Sequence, residues 1–312
     1  MPTHDPQADH LRTLFESLRR QSFRGFNVVV SDDSSSPDGS ELVRQLGEGV
    51  VGHVHHEADG DGMTNNWNRA IAQGSAPTVL LLGQDDALEP AALAELYAVL
   101  DAHPDVSAVG CGRTFINDVG EPLSPRLRVN DRSRIFLTPG PHRLDRHELT
   151  MLCLRNGNPF GEPSAVLFRR AAYDAVGGFD PSYRQAVDVA FLLRIVSQGD
   201  VIYLPQALLR RRRHPGSQTS SNVRSGASSE ERVRLIDEFG AAAGLSDDEI
   251  SRCLSAAFVH CGFDFARAAR HRWPAARVNA RLLGRLVRGG ARPRHVAATL
   301  MEVATSRNQD RR

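Results

Sequence analysis

One stretch, Thr78 to Asp86, constrains this chain more than any other. It reads Thr-Val-Leu-Leu-Leu-Gly-Gln-Asp-Asp. From Thr78 to Leu82 the side chains are β-branched or aliphatic without a break, the pattern of a strand buried on both faces in a helix-covered parallel sheet. Two adjacent carboxylates, Asp85 and Asp86, follow at the expected C-terminal end of that strand. Ligands of open α/β sheets bind in the crevice outside those ends. A carboxylate doublet repels itself unless something positive sits beside it, and hard oxygen ligands suit magnesium or manganese. A divalent metal carrying a phosphorylated ligand is one reading. A solvated turn before a helix with Pro90 in its first turn is the other, and the doublet alone does not choose between them.

The same pattern of strand followed by carboxylates occurs upstream, where Phe26 to Val30 runs into Ser31-Asp32-Asp33-Ser34-Ser35-Ser36. Helical periodicity over Leu11–Phe23, Ser40–Leu46, Asn65–Gln73 and Ala91–Ala102 alternates with strands at Val50–His55, Thr78–Leu82 and Val106–Ile116. This rhythm predicts an α/β fold with a doubly wound, mostly parallel sheet. Pro125 to Pro141 reads as irregular. Ala165–Phe168 reads as a strand, and Arg170–Val176 as a helix that Gly177-Gly178 terminates. A helix over Val187–Gln198 and extended pieces at Val201–Leu204 and Leu208–Arg213 follow. Pro215 to Ser229 is rich in Ser and Gly and lacks an apolar period, so it reads as a loop or linker; its place next to His214 suggests a lid over a bound ligand, with a plain linker as the alternative. Glu230 to Thr305 reads as helical. The expected division is an α/β domain over residues 1–220 and a helical region over 221–312.

Composition removes several classes. A formal net charge of +1 gives no argument for nucleic-acid binding. Cys111, Cys153, Cys253 and Cys261 lack metal-site spacing and are expected to be buried free thiols. With neither a signal peptide nor an 18-residue apolar run, the expectation is a cytoplasmic protein that does not span a membrane. Arg277 to Arg288 interleaves Arg with Val278, Leu282, Leu283, Leu286 and Val287. Such a helix can lie on an anionic membrane, peripheral at its inner face, or pack on the domain with its Arg outward.

The ordered set of motifs resembles the family-two glycosyltransferases, inverting enzymes with the A-type nucleotide-sugar transferase fold. The motifs are Thr3, Asp32-Asp33 after a strand, Asn65-Asn66-Trp67-Asn68-Arg69-Ala70, and Leu82-Gly83-Gln84-Asp85-Asp86. Gly161-Glu162-Pro163-Ser164, Gly177-Gly178-Phe179-Asp180, Asp188 and Arg212-Arg213-His214 follow in order. The resemblance covers roughly residues 2 to 220. It implies that Thr3, Asp32 and Asp33 hold the nucleoside and that Asp85 is the main metal ligand. Gln84 and Asp86 flank Asp85, with Gln84 on the nucleotide side and Asp86 on the metal side. Asp188 is the implied general base; His214 approaches the metal or diphosphate, and Arg212 pairs with a phosphate. Gly83 stands where the family often begins its aspartate signature, and the Gln-Asp-Asp version resembles one branch of the family.

The implied activity moves a sugar from a nucleotide-diphosphate donor to a hydroxyl acceptor with a divalent metal, manganese or magnesium. Its setting would be polysaccharide, cell-envelope or glycoconjugate biosynthesis, with a glycan, lipid-linked or small-molecule acceptor. Two other classes compete: a non-catalytic nucleotide-sugar binding protein, and a sugar nucleotidyltransferase. The second would want a glycine-rich basic phosphate loop, which residues 1–10 lack. Members of the resembled family also open on a buried apolar strand leading into a Pro-Thr pair. Here Pro2-Thr3 follows Met1 directly, so the expectation is a domain lacking its first strand, with a Val/Ile-rich strand encoded upstream of the given Met1.

Overall fold

The structure is a computed structural model that describes residues 1–57, 60, 62–123, 139–213, 225–271 and 273–309. Among these residues β1 (Pro2–Thr3), β2 (Val28–Asp32) and β3 (Val51–His56) form a parallel sheet in the order β1-β2-β3. The second sheet comprises β4 (Thr78–Leu80), β5 (Ala87–Leu88), β6 (Val106–Ile116), β7 (His142–Leu144), β8 (Val166–Arg169) and β9 (Asp200–Arg212). Its order is β4-β8-β6-β9-β5, with β7 paired to β9. Only β6 and β9 run parallel in it; the other pairs are antiparallel. The class is α/β as the rhythm predicts, but the sheet is split in two and its second half is mixed.

The helices follow their apolar stripes. α1 (Ala8–Arg19) buries Leu11, Leu14, Phe15 and Leu18, positions that share one face at 3.6 residues per turn. α2 (Asp38–Leu46), α3 (Met63–Ala72), α4 (Ala92–Ala102), α6 (Arg170–Ala175) and α7 (Val187–Ile195) fall near their expected places. α5 (Arg146–Asn156) was not expected. Its signal was in the sequence: Asp145 and Glu148 form a reciprocal capping box. β9 was expected as two pieces separated by Pro205. It is one strand, because β9 bulges at Pro205 and Gln206, between the pairs Cys111–Leu204 and Gly112–Ala207. A Cβ on Gly112 would lie 2.8 Å from the Pro205 carbonyl, so the glycine admits this irregularity.

β1 is a short strand, with Pro2 opposite Ser31 and Thr3 opposite Asp32. The Met1 amine donates to the Val29 carbonyl at 2.8 Å. It is buried, and burial lowers its pKa to about 5. A cavity of about 450 Å³ lies beside it, lined by Met1, Phe23, Val28, Val29, Val79 and Leu81. β1 and β4 are end strands of their respective sheets, so residues of two sheet edges line this cavity.

Beyond β9 come α8 (Ala227–Phe239), α9 (Asp247–Arg270), α10 (Ala275–Arg288) and α11 (Pro293–Gln309). The last three residues of the expected loop, Ala227 to Ser229, are already helical; residues 214–224 lie outside the described ones. Val233, Ile236, Cys253 and Leu254 share one hydrophobic cluster with Leu149, Cys153 and Leu154 of α5. The helical region is thus packed into the core of the α/β part. α10 turns Leu282 and Leu286 inward, and Arg285 pairs with Asp237 at 2.6 Å. Its apolar stripe is used against neighbouring helices, the packed one of the two readings of Arg277–Arg288. Among the described residues no helix is long and apolar enough to cross a membrane. All four cysteines are buried and free.

Candidate functional site

Asp32 ends β2 with no exposed surface. Its carboxylate accepts from Thr3 Oγ1 at 2.8 Å and from Ser34 and Ser40 Oγ at 2.7 Å each. The serine-rich run therefore supplies hydroxyls that satisfy a buried charge. The Thr3 carbonyl in turn accepts from Asn66 Nδ2 at 3.1 Å, so the Asn-rich motif on α3 secures β1. Asp33 is also buried, with Oδ1 3.1 Å from Nδ1 of the exposed His4. Gly60 approaches so closely that a Cβ there would meet the Asp33 Cβ at 2.4 Å. Asp32 is a frame for this loop, and Asp33 is the member that adjoins exposed side chains.

The second carboxylate doublet follows β4. Gln84 ties it back to the first sheet: its Oε1 accepts from the His4 N–H at 2.8 Å and its Nε2 donates to the His4 carbonyl at 2.9 Å. Gly83 donates to Ser164 Oγ at 3.0 Å. A Cβ at Gly83 would sit 3.2 Å from Asp85 Oδ1, 3.2 Å from Asp86 Oδ2 and 3.4 Å from Ser164 Oγ. That crowding accounts for glycine at the position where the family pattern often has aspartate. Asp86 is 5% exposed. Burial, reinforced by the charges of Asp85 and Glu162, raises its pKa well above the usual carboxylate range.

Arg212 serves this loop through backbone contacts. Its guanidinium donates to the carbonyls of Asp85 (3.0 Å), Asn117 (2.8 Å) and Asp118 (2.7 Å), while its N–H donates to Asp86 Oδ1 at 3.2 Å. Arg211, one residue away and on the other face of β9, meets the acids. It pairs with Glu162 at 2.6 Å. Burial alone would lower its pKa, but Glu162, Asp86, Asp85 and Asp188 together raise it. Arg113 flanks the same Glu162 at 3.4 Å. Sequence reasoning missed Arg211 as a site residue, although strand alternation puts it on the face opposite Arg212. His214 lies outside the described residues.

Asp188 is the second residue of α7. Its Oδ2 accepts from Asn158 Nδ2 at 2.6 Å and its Oδ1 from the Val189 N–H at 2.8 Å. Asn158 is itself fixed, accepting from the N–H groups of Phe160 and Gly161 at 2.8 and 3.0 Å. Near a helix N-terminus a carboxylate would be expected to lose pKa. Here burial outweighs the hydrogen bonds and pushes it up to about 6. Trp67 packs edge-on against Phe179 at 5.3 Å, as a packing residue does. Asn158 and Glu162 belong to the irregular chain between α5 and β8, which periodicity cannot read.

The donor set of Asp85 and Asp86 suits a hard divalent cation. Two carboxylates held together against burial and mutual repulsion are relieved by positive charge. Among the described residues no three His, Cys, Asp or Glu side chains converge to hold a metal, so the remaining ligands of such an ion would have to come from elsewhere.

Residues 1–177, more than half of the chain, match Glycosyl transferase family 2, and the chain belongs to that family: it is a glycosyltransferase. A Sinorhizobium fredii protein, uncharacterized protein y4gI, is 26% identical over 244 residues. The match covers 76% of this chain but only 24% of that protein, so this chain spans about a quarter of its relative. Staphylococcus aureus TarS 1-349 in complex with UDP-GlcNAc superposes with a TM-score of 0.59 at 19% identity, covering 99% of this chain and 87% of TarS 1-349. The mannosyltransferase PcManGT from Pyrobaculum calidifontis, in complex with GDP-Man and Mn2+, superposes at 0.57 and 18% identity, covering 100% and 86%. These two likenesses show the fold.

Proposed function

We propose that the chain transfers a sugar from a nucleoside-diphosphate donor to a hydroxyl acceptor with inversion, and that Asp188 is the general base. The observation that carries this reading is the pairing of a buried carboxylate of raised basicity, Asp188, with a separate carboxylate doublet, Asp85-Asp86, around one arginine, Arg211. Attack by a hydroxyl needs a group to take its proton as the new bond forms, and a base is most effective when its pKa lies near the working pH. Asp188 at about 6 is ionised at neutral pH yet basic enough to accept that proton. Asp33 and Thr3 border the nucleoside side. Asp85 and Asp86, with His214, would hold a manganese or magnesium ion, which when bound offsets charge on the departing diphosphate. Arg211 supplies fixed positive charge to the same region. That structures of this fold carry UDP-GlcNAc in TarS and GDP-Man with Mn2+ in PcManGT supports a nucleotide sugar as donor.

The test has two arms. Isothermal titration of a nucleotide-sugar panel with manganese should show tight donor binding that Asp85→Asn weakens and chelator abolishes. Asp188→Asn should keep donor affinity and lower turnover by about 10²–10⁴-fold, the usual size of general-base catalysis. Full turnover in Asp188→Asn would exclude it as the base.

A further inference from the structure

The chain entering α7 is held from the C-terminal helical region. The N–H groups of Arg184, Gln185 and Ala186 all donate to the carboxylate of Glu231 on α8, at 2.7, 2.8 and 2.8 Å. Consecutive backbone amides of this kind form a concavity that favours an anion. Here the anion is a side chain of the same molecule, 8% exposed. α8 grips the same stretch at further points. Tyr183 donates its hydroxyl to Glu238 at 2.7 Å, Arg234 donates to the Ser182 carbonyl at 3.1 Å, and the Arg234 guanidinium lies 4.0 Å over the Tyr183 ring. α7 has no side-chain cap of its own at Ala186. Asp188 stands two residues beyond the last amide that Glu231 holds.

Two physical effects follow. Anchoring residues 184–186 fixes the height and rotation of the first turn of α7, and so delivers the Asp188 carboxylate to Asn158. A carboxylate seated on those amides also offsets their positive ends, which would otherwise favour ionised Asp188 and weaken it as a base. The other groups facing Asp188 are Glu162, which raises its basicity, Arg211, Asn158 and the Val189 N–H, which lower it, and the Cys153 thiol of α5, whose own pKa burial and Asp188 raise.

We propose that Glu231 is a positioning residue for the Asp188 base, so that the helical region is part of the catalytic apparatus. The proposal rests on the reading of Asp188 as base. It is tested with Glu231→Gln in the full chain, which keeps the size and removes the charge and one acceptor atom. Turnover of UDP-GlcNAc or GDP-mannose, whichever the wild type uses, should fall by about 10²-fold, as for a misplacement of about 1 Å. Donor affinity by calorimetry should be unchanged. In protein labelled with ¹³C at aspartate carboxyls, the Asp188 titration should move below its wild-type value. Glu231→Asp keeps the charge on a shorter side chain. It should restore the titration without the full turnover, and it carries the test if Glu231→Gln does not fold.

Wild-type turnover and titration in Glu231→Gln, with Asp188→Asn inactive, overturn this proposal alone. So does a defect confined to donor affinity. Full turnover in Asp188→Asn overturns the base assignment and this proposal with it.

Discussion

At the donor end, Asp32 is held by hydroxyls from Thr3, Ser34 and Ser40, and the Asp85-Asp86 loop by Ser164 and Arg212. Every one of these partners lies within residues 1–213, and two of them within eight positions of the acid they serve. At the base end, residues 182–186 are held by Glu231, Arg234 and Glu238, 45 or more positions further on for the three amides that Glu231 accepts. The loops proposed to face the donor are thus secured largely by their own sheets, whereas the loop before the proposed base is secured by a helix from outside the α/β layer. Damage to the helical region should therefore cost turnover before donor affinity, and damage to the strand ends should cost both.

The sharpest way to break this contrast is Asp32→Ala. It strands three buried hydroxyls, and unsatisfied buried groups cost about 1–3 kcal/mol each, so destabilisation on the order of 3–5 kcal/mol is expected in urea unfolding. Asp33→Asn, bonded to none of those hydroxyls, should unfold near wild type. Equal stability of the two variants would mean that Asp32 does not frame the loop.

The next effect has the opposite sign. The native pKa of Asp188, about 6, lies above its unfolded value. The protonated native form is favoured, so its contribution to stability is fully present below about pH 4 and is lost as pH rises through about 6. Asp188→Asn should then gain on the order of 1–3 kcal/mol over wild type at pH 7.5, a difference that disappears near pH 4. A variant less stable than wild type at both pH values would contradict the buried, raised-pKa description.

The smallest effect belongs to the clamp. Tyr183→Phe removes one hydroxyl bond to Glu238, worth about 1 kcal/mol, and keeps the ring under Arg234. It should lower the midpoint of urea unfolding slightly and leave donor binding untouched. A clear loss of donor affinity would mean that the two ends of the site are coupled more closely than their separate partners suggest.

The contrast also sets what could be read from residues alone. Asp32 and Asp85 were legible because carboxylates directly after β-branched runs mark strand ends. Asp188 was singled out through its place in an ordered motif set. Arg212 was read as a phosphate partner; its Nε and Nη1 donate to three carbonyls, and its neighbour Arg211 faces the acids. Strand alternation allows either face until the register is known. Glu162 was visible only as a member of the Gly161-Ser164 motif, with no role attached. Asn158 and Glu231 could not be read: the first lies in irregular chain, and the second acts through a tertiary contact that helix periodicity does not encode. α8 and α9 share a hydrophobic cluster with α5, a contact that crosses residue 220.

In a chain that begins at Met1, the terminal amine keeps a proton ledger of its own. Its native pKa, about 5, is below that of an exposed amine. Between about pH 5 and 8 the unfolded chain therefore carries a proton that the native chain does not, and unfolding takes one up from the buffer. Stability contributed by this group rises with pH across that window, by up to about 1.4 kcal/mol per unit. Asp188 releases a proton on unfolding at lower pH, between about 4 and 6. The two groups thus exchange protons with solvent in opposite directions. Near pH 5 to 6 the exchanges partly cancel, and the measured heat of unfolding includes the ionisation heat of whatever buffer supplies or takes up the difference.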